Sequence, residues 1–298
     1  MATLYNQQEK NIWRTYFLFS MFLILVIGIG WFASYYFNSR AILYFAVIFS
    51  IITSLMSYWN SDKIALSLAR AIPVKSREEN SYLWNMVENL AITAGLPMPK
   101  LYIIPENQIN AFATGRDPQN AAIAVTEGAL QKLENEELEG VLAHELSHIG
   151  NRDILVGTVA VVLAGIITMI SDFFFRMMFW GGRRDRQEGG SGILALLGLI
   201  FMILAPISAT LIQLAISRKR EFLADATGAL LTRYPEGLAR ALEKIKNDQT
   251  PMRVASDATS HLWISNPFRQ KISFLHKLFM THPPIEERIK ALRGMDIN

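Results

Sequence analysis

His144-Glu145-Leu146-Ser147-His148 puts two imidazoles and a carboxylate within five residues, a spacing suited to metal-assisted hydrolysis. On a helix, residues four apart lie roughly 40° apart around the axis and about 6 Å along it, so both rings can reach one ion. Zinc is the metal these residues suit: neutral imidazoles match a borderline ion, and a catalytic zinc site keeps one position open for water. Glu145 projects beside that face and can take the proton from such a water. The preceding residues supply helical context. Glu136 and Glu137 read as an acidic first turn, with Leu138, Val141 and Leu142 as an apolar face. Two histidines and a glutamate on that face would be costly to bury without a metal or partners.

A third ligand is needed, and Glu221 in Arg220-Glu221-Phe222-Leu223-Ala224-Asp225 is the best candidate. Glu221 and Asp225 share a helix face, so one can bind the ion while the other holds a ligand histidine by its free ring nitrogen. Alone, the spacing also fits a solvated face with Arg218 and Arg220 as partners; beside the histidine pair it carries more weight.

These residues resemble the HtpX-type membrane zinc metalloproteases, related to the Ste24 prenyl-protein proteases. The resemblance rests on Asn110-Ala111-Phe112-Ala113-Thr114-Gly115, Val125-Thr126-Glu127-Gly128-Ala129-Leu130, Val141 to His148, Arg220 to Asp225, and Thr281-His282-Pro283-Pro284-Ile285-Glu286-Glu287-Arg288, in that order along the chain. It implies one zinc ion per chain on His144, His148 and Glu221, with Glu145 as general base. For His282 the competing readings are helix-start residue and stabiliser of the tetrahedral oxyanion; the resemblance favours the latter, with Arg288 along the same helix as a second cation. Asp225 is expected to orient a ligand histidine.

Much of the chain is too apolar for a soluble enzyme: of 298 residues, 51% are hydrophobic. A membrane-spanning helix needs about 20 mainly apolar residues. Four stretches qualify, near Tyr16 to Phe37, Ala41 to Trp59, Ile154 to Ile170 and Ile193 to Ile216. The third ends near Asp172 and Arg176, and the fourth contains Pro206, which can kink it. The first is no signal peptide, because its run is long and a second span follows directly. With no cysteine, disulfides and thiolate ligands are excluded.

Four spans place the N-terminus, residues 61 to 153 and residues beyond 217 on one side. Near the bilayer that side carries Lys10, Arg14, Lys63, Arg70, Arg152, Arg218, Lys219 and Arg220, against Arg40, Arg183, Arg184 and Arg186 opposite. The positive-inside rule then puts the metal site in the cytoplasm of a multi-pass cell-membrane protein. No basic stripe interleaved with aromatics suggests nucleic acid.

The expected fold is α+β: a zinc metalloprotease domain with a small β-sheet, on four transmembrane helices. Its parts are a membrane hairpin (1–60), the first part of the domain with the active helix (61–153), a second membrane pair with a polar loop (154–217) and the rest of the domain (218–298). Helices are expected from Ser81 to Ala94, Glu236 to Lys246 and Ile285 to Arg293, and strands from Lys100 to Ile104, Ile109 to Thr114 and Ala121 to Thr126. An exposed strand edge, either Asn110 to Thr114 or Ala122 to Thr126, can hold an extended peptide by main-chain bonds; Asn110, Ala111 and Phe112 are the candidate substrate residues. His261 and His276 belong to no motif. The expected substrates are misfolded or damaged membrane proteins or peptides. A specialised processing protease of the prenyl-protein type and a nonproteolytic scaffold with structural zinc are the competing readings, the latter having no need of Glu145.

Overall fold

The computed structural model describes residues 4–36, 38–160, 162–163, 165–167, 218–254, 262–265, 267 and 283–295. It begins with two long helices, α1 (Leu4–Tyr36) and α2 (Arg40–Leu68). Their runs Asn11–Tyr35 and Arg40–Leu68 are long and apolar enough to cross a membrane. Large side chains face outward along them. Trp31, Tyr35 and Tyr44 are exposed beside the hairpin turn, and Trp13, Tyr16 and Trp59 at its open end, the aromatic flanks that a bilayer's two interfaces favour.

Between the hairpin and the His144 to His148 segment lies a mixed four-stranded sheet in the order β1-β2-β4-β3. Its strands are β1 (Ile72–Val74), β2 (Lys100–Ile104), β3 (Ala111–Gly115) and β4 (Ala121–Thr126). β2 and β4 run parallel, while β1 and β3 pair antiparallel at the two edges. β4 is therefore central, which corrects the expectation that Ala122 to Thr126 could offer a free edge. β1 escapes sequence reading because it is three residues long and contains Pro73, which an edge strand tolerates.

Both faces of β3 and β4 are covered. Ala111, Ala113, Ile123 and Val125 face a core that includes Leu138, Leu142 and Leu146, whereas Phe112, Ala122 and Ala124 face Ala65, Leu66 and Ala69 at the end of α2. Period-two alternation thus divides small residues between the soluble core and the membrane hairpin.

Helix α3 (Ser81–Ala94) starts where the Asn80 side chain accepts from Leu83 N at 2.9 Å and stops at Gly95, whose φ of 65° suits glycine. After α4 (Glu127–Lys132), α5 (Asn135–Gly150) begins with a capping box in which Glu137 accepts from Glu134 N. A sharp bend of 87° leads into α6, Asp153–Ile167. Its Val156, Val159, Leu163 and Ile167 pack with Leu18, Phe22 and Val26 of α1. The fourth apolar stretch lies outside the described residues. Beyond it come α7 (Arg218–Thr232), α8 (Pro235–Asn247) and α9 (Ile285–Arg293).

α7 lies directly on α5. At Gly228 an added Cβ would sit 2.9 Å from the backbone nitrogen of His144, so only glycine allows this approach. Gly228→Ala must push the helices apart, at a cost of about 1–3 kcal/mol for an overpacked contact. Thermal unfolding of the full chain should show a lower midpoint; an unchanged midpoint would mean that the crossing tolerates a methyl group.

Candidate metal centre

Helix periodicity brings His144, Glu145 and His148 into the contact between α5 and α7, where Glu221 and Asp225 meet them. His144 Nε2 and His148 Nε2 are 3.2 Å apart, with the rings edge to face. Glu221 Oε1 is 3.7 Å from His148 Nε2, and its Oε2 is 3.9 Å from His144 Nε2. Among the described residues, these three form a group whose ligand atoms all lie within 4.8 Å of one another. Tetrahedral zinc, with ligands at about 2.0–2.1 Å, sets neighbouring ligand atoms roughly 3.3 Å apart, so the cluster needs only a small contraction.

The other ring nitrogens are bound by carboxylates. His144 Nδ1 is 2.9 Å from Asp225 Oδ1, and His148 Nδ1 is 3.1 Å from Asp153 Oδ2. Each histidine then donates from Nδ1, leaving both Nε2 atoms as acceptors aimed at one point. Lone pairs 3.2 Å apart repel unless a cation lies between them, so the donor set fits a metal. Without one, the surroundings recruit a proton. Burial disfavours charge on His148, yet the hydrogen bond to Asp153 and the Glu221 carboxylate outweigh it and raise this ring to about 9. For His144 burial prevails and the pKa is lowered, despite the bond to Asp225.

Glu145 is 1% exposed. Burial raises its carboxyl to about 7, opposed by the charge of His148 and by the Ala113 backbone N–H that bonds it. A carboxylate poised there can take and return a proton at physiological pH. Its bond to Ala113 also places the outer side of β3 next to the proposed base.

The remaining expected residues fare differently. His282, and also His261 and His276, lie outside the described residues. Arg288 is fully buried: Nε and Nη2 donate to Asp225 at 2.8 and 2.6 Å, and Nη1 donates to the Ile264 carbonyl at 3.0 Å. Nη1 also lies 3.6 Å from Glu221 Oε2, so the expected oxyanion cation both holds Asp225 and borders the candidate ligand cluster. Asn110, Ala111 and Phe112 are also buried. Ile264 N donates to the Ala111 carbonyl at 3.0 Å, the Asn110 amide donates to the Ser265 carbonyl at 3.2 Å, and Phe112 meets Trp263 edge to face at 4.9 Å. The chain's own residues 262–265 occupy the edge that was expected to take substrate at those three positions.

Sequence reasoning missed Asp153. It stands five residues beyond His148, where Arg152 adopts a left-handed φ of 57° and turns the chain back toward the ring. A carboxylate just past a histidine-ended helix was the available signal. Asn11, which donates to that carboxylate at 2.6 Å, gave none, being distant in sequence; Arg220, 3.6 Å from it, was visible only as part of its own motif.

Residues 77–296 match the model of Peptidase family M48. A protein named Protease HtpX homolog from Thermoanaerobacter pseudethanolicus is 50% identical over 298 residues, 98% of each chain. One from Caldanaerobacter subterraneus subsp. tengcongensis is 49% identical over 300 residues, 99% of each. Among solved structures, that of S. mikatae Ste24p is similar in fold at TM-score 0.51 and 20% identity, over 94% of this chain and 66% of that one.

The pairing of Asp225 with Arg288 has a measurable pH signature. Burial opposes ionisation of Asp225, but Arg288 prevails and lowers it from 3.8 to about 2. A depressed folded pKa means the stabilisation is fully present above pH 3.8 and is lost as the pH falls through about 2. Arg288→Met should remove that acid limb and destabilise the chain at neutral pH by roughly 3–5 kcal/mol, the cost of stranding a buried charge. Equilibrium unfolding against pH checks it; a wild-type stability profile in Arg288→Met would sink the assignment.

Proposed function

Because the chain belongs to peptidase family M48, a membrane metalloprotease family, we propose that it hydrolyses peptide bonds with a single zinc ion held by His144, His148 and Glu221. The observation that carries this is the convergence of two imidazole Nε2 atoms and a carboxylate at one point, with the Glu145 carboxylate beside it. When bound, zinc would supply Lewis acidity, polarising the scissile carbonyl and making a neighbouring water easier to deprotonate.

Glu145 accepts the proton of the attacking water and later delivers it to the leaving amine. Asp225 and Asp153 hold the two imidazoles in the tautomer that presents Nε2, and Arg288 acts through Asp225. His282 remains the candidate oxyanion donor that its place in the Thr281 to Arg288 motif suggests. An extended substrate would meet the outer side of β3 at Ala113, whose N–H bonds Glu145, rather than at Asn110 to Phe112, where residues 262–265 already lie. A scaffold with structural zinc has no use for a buried carboxylate at this position. Misfolded or damaged membrane proteins are the proposed substrates, in keeping with relatives named Protease HtpX homolog.

Glu145→Gln tests the mechanism, since the amide keeps the shape and cannot act as base. The variant should hold near-stoichiometric zinc by metal analysis, with cleavage of a model membrane protein down by several orders of magnitude. Substantial residual cleavage would remove Glu145 from its role.

Four spans and a cytoplasmic site are the proposed topology, supported by the charge bias and by the packing of α5 on α7, which puts the segments before α6 and after residue 217 in one domain. Single cysteines near Lys132 and Lys244 should react with impermeant reagents from the cytoplasmic face only, and one at Arg184 from the opposite face. Lys132 and Lys244 on different faces would break the topology and the Glu221 assignment together; both on the outer face would change only the side.

A further inference from the structure

Asn11 stands at the head of the first membrane run, yet it is 1% exposed. A buried amide is costly unless hydrogen-bonded, and the side-chain bonds of Asn11 among the described residues go to one cluster. Nδ2 donates to Asp153 Oδ1 at 2.6 Å and to the Asn151 carbonyl at 3.2 Å, while Oδ1 accepts from Arg220 Nη1 at 3.2 Å. This arrangement fixes which way the amide points, because a flip would turn its oxygen toward a carboxylate and its NH2 toward a guanidinium.

Asp153 uses its two oxygens differently. Oδ1 is held by Asn11 and lies 3.6 Å from Arg220 Nη1; Oδ2 accepts from His148 Nδ1 at 3.1 Å. One oxygen is clamped by the membrane helix, and the other sets the plane of a proposed ligand ring. Arg220 precedes Glu221 on α7, so the same cluster also borders the third proposed ligand.

We propose that Asn11 is a positioning residue of the metal centre, fixing the Asp153 carboxylate that orients His148, so that the first membrane helix completes the ligand arrangement. The proposal rests on the reading of His148 as a ligand. A helix serving only as an anchor would need no such residue: Leu18, Phe22 and Val26 already supply apolar packing against α6, and an amide adds nothing to it.

The test is the zinc dissociation constant of the purified full chain in detergent, measured by chelator competition. Asn11→Ala should weaken zinc by about 10-fold, the lower end of the range for a group that itself orients a ligand. Phe22→Ala, on the same helix, should lower thermal stability and leave zinc affinity unchanged. Adding Asn11→Ala to Asp153→Asn should cause little further loss, since both act through one carboxylate. Should Asn11→Ala not fold, Asn11→Gln serves, because its extra methylene displaces the amide and should still weaken zinc. Wild-type affinity in the folded Asn11 variant, or equal weakening by Phe22→Ala, would overturn the proposal. His148→Ala separates the premises: zinc held at wild-type affinity there overturns the reading of His148 as a ligand and this proposal with it, whereas zinc lost there but held normally by Asn11→Ala overturns the proposal alone.

Discussion

The two imidazole–carboxylate bonds behind His144 and His148 are the interactions on which the arrangement depends. An imidazole has two equivalent ways to carry one proton, and only one of them presents Nε2 as an acceptor. Asp225 and Asp153 decide the matter by accepting hydrogen bonds from Nδ1–H at 2.9 and 3.1 Å. Each carboxylate is itself accompanied by a buried guanidinium, Arg288 for Asp225 and Arg220 for Asp153. The pattern is repeated on both rings: arginine, carboxylate, imidazole, and then the shared point between the Nε2 atoms.

Buried charge then favours a cation at that point. Among the described residues, Asp153, Asp225 and Glu221 outnumber the buried Arg220 and Arg288 by one negative charge, and Glu145 adds a second when ionised. Net charge in a low-dielectric interior is expensive, and a divalent ion would offset it. The same imbalance explains why the ring of His148 holds its proton up to about 9. Proton affinity and metal affinity here have one electrostatic origin.

How much of this could be read from the sequence follows from how local each signal is. The two histidines, Glu145 and the pair Glu221 and Asp225 lie within single helical turns, so periodicity placed them on common faces; α3 and α9 likewise have the expected limits because caps and stops are local. The sheet order is not local, and nothing in Ala122 to Thr126 tells that β2 pairs on one side and β3 on the other. Asn110, Ala111 and Phe112 look like an available edge until Trp263, Ile264 and Ser265, about 150 residues away, settle against them. Asn11 was invisible for the same reason, 142 residues from Asp153. A polar residue at the head of an apolar run reads as an interfacial boundary, and only the packing of α1 on α6 reveals its bond.

The membrane helices and the soluble domain are therefore joined by more than a chain connection. α1 reaches the domain through Asn11, hydrogen-bonded beside His148, while α2 extends past its apolar run so that Ala65, Leu66 and Ala69 lie under Phe112, Ala122 and Ala124 of the sheet. The sheet's opposite face carries α5, and so displacement of α2 would be transmitted through close-packed residues to the helix bearing His144 and His148. A flexible tether would isolate the site from the bilayer; these two contacts do the reverse. The position of the candidate metal centre relative to α1 and α2 is fixed by the same packing that fixes its internal geometry.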